Sequence, residues 1–156
     1  MITAIQRVAN ARVVVDGETV GEIGRGLLLF VGVEASDTEA DADETARKAQ
    51  RLRVFPDKKP TDLSVVDVGG ACLVVSQFTL AAELQGGHRP DFTAAAHPEV
   101  AEPLYERVAE RLAAAGVPVA TGRFGASMQV TLVNDGPMTY LLRVQNGKVQ
   151  PRDARR

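Results

Sequence analysis

Two apolar runs, residues 26–33 and 71–75, the second expected to continue as strand to residue 78, set the first constraint on what this chain can fold into. Each has the length of a strand, and each is bounded by glycine, at Gly26 and at Gly69-Gly70. Such runs are expected as strands buried in the middle of a sheet. Residues 2–8 and 11–15 are rich in apolar and β-branched side chains and are read as further strands. Asp16-Gly17 is a turn signal, from which residues 18–23 return. Residues 127–133 alternate, with Met128, Val130 and Leu132 on one face, and residues 138–144 do the same with Met138, Tyr140, Leu142 and Val144. Asn134-Asp135-Gly136-Pro137 reads as the turn that joins them. Shorter strands are expected at residues 63–68 and 117–124.

Two segments have helical rather than strand periodicity. The first starts near Ser36, where Ser36 and Glu39 fit a capping box and Ala42, Ala46, Ala49 and Leu52 make a narrow apolar stripe. The second covers residues 98–115: Pro98 suits a first helical turn, Val100, Leu104, Val108 and Leu112 share a face, and Gly116 ends it. The expected fold is α+β: one domain over residues 1–147, with an antiparallel-rich, curled or barrel-like sheet and two principal helices. With no tryptophan, its core is built from Val, Leu, Ile and Ala. Residues 148–156, with Lys148, Arg152, Arg155 and Arg156, read as a mobile basic tail.

Several function classes are disfavoured. A net charge of −2 does not suit a protein that coats nucleic acid through many phosphate contacts, though it allows one that grips the end of an RNA. No DNA partner is expected. The lone Cys72 permits no intrachain disulfide and reads as a small buried hydrophobe. The first residues lack a signal-peptide layout and no stretch has membrane-spanning length, so a cytoplasmic protein without a membrane partner is expected. The only histidines are His88 and His97, and no ligand spacing is present, so neither metal nor cofactor is expected. A Ser76–His88–Asp91 triad can be written down, but Val74-Val75-Ser76-Gln77-Phe78 lacks the flanking glycines of a nucleophile elbow.

Two segments carry polar groups where sites are built. Val74-Val75-Ser76-Gln77-Phe78-Thr79-Leu80 places them at the end of a buried strand, where a rigid element can aim them into a cleft. The plain alternative is a strand leaving the core with Ser76 and Thr79 bonded to nearby backbone. Asn134-Asp135-Gly136-Pro137-Met138-Thr139 is either an ordinary turn or a segment holding its Gly-Pro bond cis.

Together these segments resemble the D-aminoacyl-tRNA deacylase family, and the resemblance covers nearly the whole chain. It also runs through Ile5-Gln6-Arg7-Val8, Leu52-Arg53-Val54-Phe55, Arg89-Pro90-Asp91-Phe92 and Thr121-Gly122-Arg123-Phe124. The resemblance implies a homodimeric ester hydrolase that acts on the 3′ end of aminoacyl-tRNA. By it, Ser76, Gln77, Phe78 and Thr79 line the catalytic pocket. Gly136 and Pro137 reach in from the partner subunit as a filter against L-amino acids, held by Arg7, while Phe124 and Met128 neighbour the terminal adenosine. Glycine has no Cβ to reject, so glycyl-tRNA is an expected second substrate. Three places depart from the usual pattern: Pro60-Thr61-Asp62-Leu63, Asp91 and Met138. The rival readings are a non-catalytic nucleic-acid-binding protein on the same fold, a deacylase for mischarged L-aminoacyl-tRNA, and a serine hydrolase using Ser76. For the hydrolysis, backbone N–H groups near Phe78 and Thr79 compete with Thr79 as a nucleophile.

Overall fold

In the computed structural model, which describes residues 1–152, one strand organises everything else. This is β1 (Ile2–Val15), a single strand where two were expected. On one side, its first half pairs with β3 (Gly26–Gly32) and its second half with β2 (Glu18–Ile23). On the other side it pairs along its length with β6 (Gln129–Gln145). Beyond β3 lie β4 (Ala71–Ser76) and β5 (Val119–Thr121), both parallel to it. Helix α1 (Glu39–Arg51) connects β3 to β4, and α2 (Pro98–Ala114) connects β4 to β5, as parallel neighbours require. The four other pairings are antiparallel. The sheet curls until β2 meets β5: a Cβ on Gly21 would lie 2.2 Å from the Thr121 carbonyl oxygen, so only glycine permits that approach.

The curl creates two cores. Leu27, Leu29 and Val31 of β3, with Cys72 and Val74 of β4, face the helices. Leu28, Leu73 and Val75 face the concave side. β1 serves both. Met1 and Ile5 point to the helices and Val8 into the curl; a register shift between Val8 and Asn10 then lets Ala11, Val13 and Val15 point into the curl as well. One extra residue in a strand reverses which face is buried. β6 makes the same change, with Val130 and Leu132 against the concave core and Tyr140, Leu142 and Val144 against the helical one.

That change of face corrects the reading of residues 134–137 as a turn between two strands. β6 is continuous. Asn134 stands opposite Val8 and Thr139 opposite Gln6, so residues 135–138 bulge from the sheet facing Arg7 alone.

Other expectations shift locally. Helix α1 is capped by Thr38, not Ser36: the Thr38 N–H and hydroxyl both donate to Asp41 Oδ2. Asp37, one residue earlier, is engaged by the Met1 ammonium and the Glu34 N–H. On α2, Val100 is exposed and Ala101 buried, so the apolar face begins one residue later than expected. The helix ends at Gly116 (φ +86°) as foreseen: Gly116 N–H bonds to Ala113 and Val117 N–H to Leu112, closing the last turn. Residues 63–68 are not a strand beyond the Leu63–Phe55 bridge, because Asp67 accepts from the Ser64 N–H and hydroxyl and folds the segment into a turn. Lys148 and Val149, assigned to the tail on sequence, form β7 (Lys148–Val149) on β6 through a tight turn at Asn146-Gly147, whose φ values are +54° and +68°. Arg155 and Arg156 lie outside the described residues.

Candidate active site

β4 leaves the sheet at Ser76. The Gln77 N–H still donates to Val31 O of β3 at 2.8 Å, and Phe78–Ala81 then wind a single 3-10 turn. Gly32 makes this crossing possible: a Cβ there would stand 2.8 Å from Leu80 Cβ and 2.9 Å from Gln77 O. The N–H groups of Phe78 and Thr79 come first in the turn and have no acceptor among the described residues.

A cavity of ≈ 300 Å³ opens beside this strand end. Ser76, Gln77 and Phe78 line it together with Phe124 and Gly125, and α2 supplies Ala101 and Tyr105. A second recess of ≈ 210 Å³ shares Ser76, Gln77 and Phe78 and is bounded by Ala126, Met128 and Val130. The strand end therefore stands as a partition between two hollows. Gly122 leaves room for Met128, whose sulfur would be 2.7 Å from a Cβ at that position. Phe78 is 57% exposed and meets Phe92 edge-on, with ring centroids 5.1 Å apart. Thr79 lines neither hollow, and its hydroxyl accepts from the Gln77 amide.

Tyr105 is the one titratable side chain lining either hollow, and burial pushes its phenol up to about 12. It stays protonated at neutral pH. Among the described residues, no other acid or base lines either hollow with Ser76, and no hydrogen bond joins Ser76 to His88 or Asp91. His88 and Asp91 sit on the exposed excursion after the 3-10 turn. The Asp91 carboxylate is bonded by the hydroxyl and N–H of Thr93, which hold it below the usual carboxylate range. Among the described residues, no three His, Cys, Asp or Glu side chains are placed to hold a metal, and no helix is long and apolar enough to cross a membrane.

The bulge on β6 forms a separate cluster. Gly136 and Pro137 are exposed, joined by a cis peptide bond, and line neither hollow of their own chain. Their base is braced. Arg7, 7% exposed, donates from Nε to Asp135 O at 3.1 Å and pairs with Asp135 Oδ2 at 2.9 Å, while Nη1 donates to Val54 O at 2.5 Å. Asn134 and Thr139 close the other side, with Gln6 donating to Thr139 Oγ1 at 3.0 Å.

A family model described as D-Tyr-tRNA(Tyr) deacylase matches residues 4–143. The chain belongs to that family. A D-aminoacyl-tRNA deacylase of Ruegeria pomeroyi is 56% identical over 145 residues, 92% of this chain and 100% of the relative. One of Aeromonas hydrophila is 52% identical over the same shares. Among solved structures, a c-Myc DNA unwinding element binding protein is 40% identical with a TM-score of 0.88, over 93% of this chain and 99% of its own. A probable eukaryotic D-amino acid tRNA deacylase, 17% identical, shares the fold with a TM-score of 0.78, over 90% of this chain and 97% of its own.

In this deacylase-family chain, the residues expected to form one site fall into two groups. Ser76, Gln77, Phe78, Phe124 and Met128 meet around the strand end, with Thr79 just outside. Arg7, Gly136 and Pro137 meet at the bulge. The sequence reading missed Tyr105 and Gly125. For Tyr105 a signal was present: it follows Leu104 on the buried stripe of α2 and carries a hydroxyl that needs a partner there.

Proposed function

We propose that this protein hydrolyses the ester between a D-amino acid, or glycine, and the 3′-terminal adenosine of tRNA, and spares L-aminoacyl-tRNA. The observation that carries the reading is the strand end itself: two N–H groups, on Phe78 and Thr79, without an acceptor among the described residues, beside a largely apolar hollow in a chain with deacylase relatives. An activated ester needs its developing oxyanion stabilised more than it needs a strong base. One preorganised donor is worth roughly 3–4 kcal/mol. The hollow containing Phe124 suits the adenosine, and the substrate's own 2′-hydroxyl is left to position water. Thr79 has no base to activate it and ranks second as a nucleophile.

In this reading the site is completed across a homodimer, with the Gly136-Pro137 bulge of one subunit at the strand end of the other. Its support is that the bulge is exposed, firmly braced and lines neither hollow of its own subunit, and that Val133 and Leu141 on the same strand are exposed apolar residues. Two main-chain carbonyls facing the substrate Cα clash with an L side chain, leave a D side chain free and admit glycine. The cell compartment this substrate implies is the cytoplasm.

The test is release of amino acid from tRNA charged with D-Tyr, L-Tyr or Gly. Fast D release, slower Gly release and an intact L ester are expected; equal hydrolysis of the D and L esters refutes the reading. Mixing a Ser76→Ala, Phe78→Ala chain with a Pro137→Ala chain tests the shared site, because mixed dimers regain one intact site. The likeness to a c-Myc DNA unwinding element binding protein at 40% identity favours a second reading, a nucleic-acid-binding protein without catalysis. Loss of RNA binding on removing residues 148–156, together with an inert D-Tyr ester, selects it.

A further inference from the structure

Tyr105 is buried (4% exposed), and its hydroxyl makes the only side-chain hydrogen bond from α2 to the sheet among the described residues, to Val74 O at 2.9 Å. The same oxygen accepts the Gly122 N–H at 3.1 Å. Val74 precedes Ser76 by two residues, and Gly122 precedes Phe124 by two. One carbonyl thus joins the two chain segments that go on to line the larger hollow, and the Tyr105 hydroxyl ties that junction to α2. The Tyr105 ring also touches the hollow directly. Its centroid is 6.0 Å from that of Phe124 at an interplanar angle of 39°.

We propose that Tyr105 is a positioning residue for nucleoside binding. It fixes the separation of the Ser76 and Phe124 segments through the Val74 carbonyl and sets the tilt of the Phe124 ring on which the adenine stacks. This rests on the function proposed above. The chemistry asks for such a brace: stacking is sensitive to ring orientation, and an aromatic ring on a loop wall has no strand of its own to hold it. The rest of the buried face of α2 is Ala101, Leu104, Val108, Ala109 and Leu112, which packs against the sheet without fixing direction. A hydrogen bond adds the directional constraint that apolar contact lacks.

Tyr105→Phe isolates the hydroxyl, since the ring stays and Val74 O keeps its Gly122 partner. The expected result is a rise of about fivefold to tenfold in the Kd for adenosine 5′-monophosphate and in the KM for D-Tyr-tRNA, with kcat within about twofold of the parent. In a double-mutant cycle, Phe124→Leu should absorb most of the effect: adding Tyr105→Phe to it raises Kd by less than it does in the parent, because no ring remains to orient. A lower melting temperature with unchanged Kd and KM overturns the proposal, as does full additivity in the cycle. If Phe124→Ala raises KM while Tyr105→Phe does not, the inference fails and the functional reading stands. If the parent neither binds the nucleotide nor cleaves D-Tyr-tRNA, both fail together.

Discussion

The Asn134 side-chain amide donates to the Arg7 main-chain carbonyl at 3.0 Å and to the Met138 carbonyl at 3.3 Å. One side chain therefore pins both ends of the bulge, at the place where β6 departs from β1. Asn134→Ala removes both bonds and the Thr139 contact while leaving the Arg7 side-chain contacts in place. The bulge should become looser without the fold being lost. Two lost hydrogen bonds at about 0.5–1.5 kcal/mol each bracket a tenfold effect. L-Tyr-tRNA hydrolysis is expected to rise about tenfold relative to D-Tyr-tRNA. A discrimination ratio equal to the parent's means that the bulge does not select chirality.

Arg7 bears more of the structural load. It is buried, and it spans Val54 O on the loop after α1 and Asp135 on the bulge. Arg7→Met keeps the aliphatic stem but strands two carbonyls. The expected loss is about 2–3 kcal/mol, read as a lower urea midpoint at unchanged slope. A shift under 0.5 kcal/mol means that water replaces the guanidinium at no cost.

Much of this architecture is legible in the sequence, because the apolar runs of β3 and β4 and the alternation along β6 leave little freedom. What was lost had local causes. Residues 134–137 carry turn chemistry, yet the ladder to β1 continues on both sides of them, since a long partner strand makes a bulge cheaper than a reversal. Asn146-Gly147 closes the expected domain and is a two-residue hairpin signal, like Asp16-Gly17, that the reading of residues 148–156 as a tail leaves unused. Strand direction was hidden as well: nothing in residues 71–78 says that they run parallel to residues 26–33, and only the intervening helices imply it. At the site, Ser76 through Phe78 were visible as polar groups ending an apolar run. The Val74 junction was not, because a carbonyl shared by a tyrosine and a glycine far along the chain has no local pattern.

Gly21 tests the closure of the curl. Its missing Cβ is what lets Thr121 O approach, with Leu73 Cδ1 also close by at 3.3 Å. The obstacle is backbone, so it has no easy way to yield. Gly21→Ala should separate β2 from β5 and destabilise by about 1–3 kcal/mol, measured by thermal or urea unfolding. Wild-type stability in that variant contradicts the contact.

Asp41 gives the fold an acid limit. Burial by itself opposes its charge, but N–H donors from Gly147 and Thr38 and the Thr38 hydroxyl outweigh that, and its carboxyl sits below the ordinary range. A carboxyl more acidic in the folded than the unfolded chain adds stability at pH above its unfolded value, about 3.9. That contribution fades as pH falls through the lower folded value. Asp41→Asn should cost on the order of 1–2 kcal/mol at pH 7, by loss of charge-assisted bonds at both the α1 cap and the β6–β7 turn. The gap between parent and variant should narrow below pH 4 in urea titrations. A gap that is constant from pH 7 to pH 3 assigns the loss to packing.

Ser76→Ala separates the two chemistries open to the strand end. A serine nucleophile needs a base, and neither His88 nor Asp91 is hydrogen-bonded to it. Backbone donors on Phe78 and Thr79 survive the substitution, so the oxyanion contribution is retained. The expected loss in kcat is about tenfold, from a missing hydroxyl that helps seat the ester. Removing a true nucleophile costs far more, on the order of 10⁶-fold in enzymes where this has been dissected. Single-turnover rates with D-Tyr-tRNA in excess protein distinguish the two cases directly. A rate indistinguishable from the spontaneous one puts the chemistry on the Ser76 oxygen and removes the backbone mechanism.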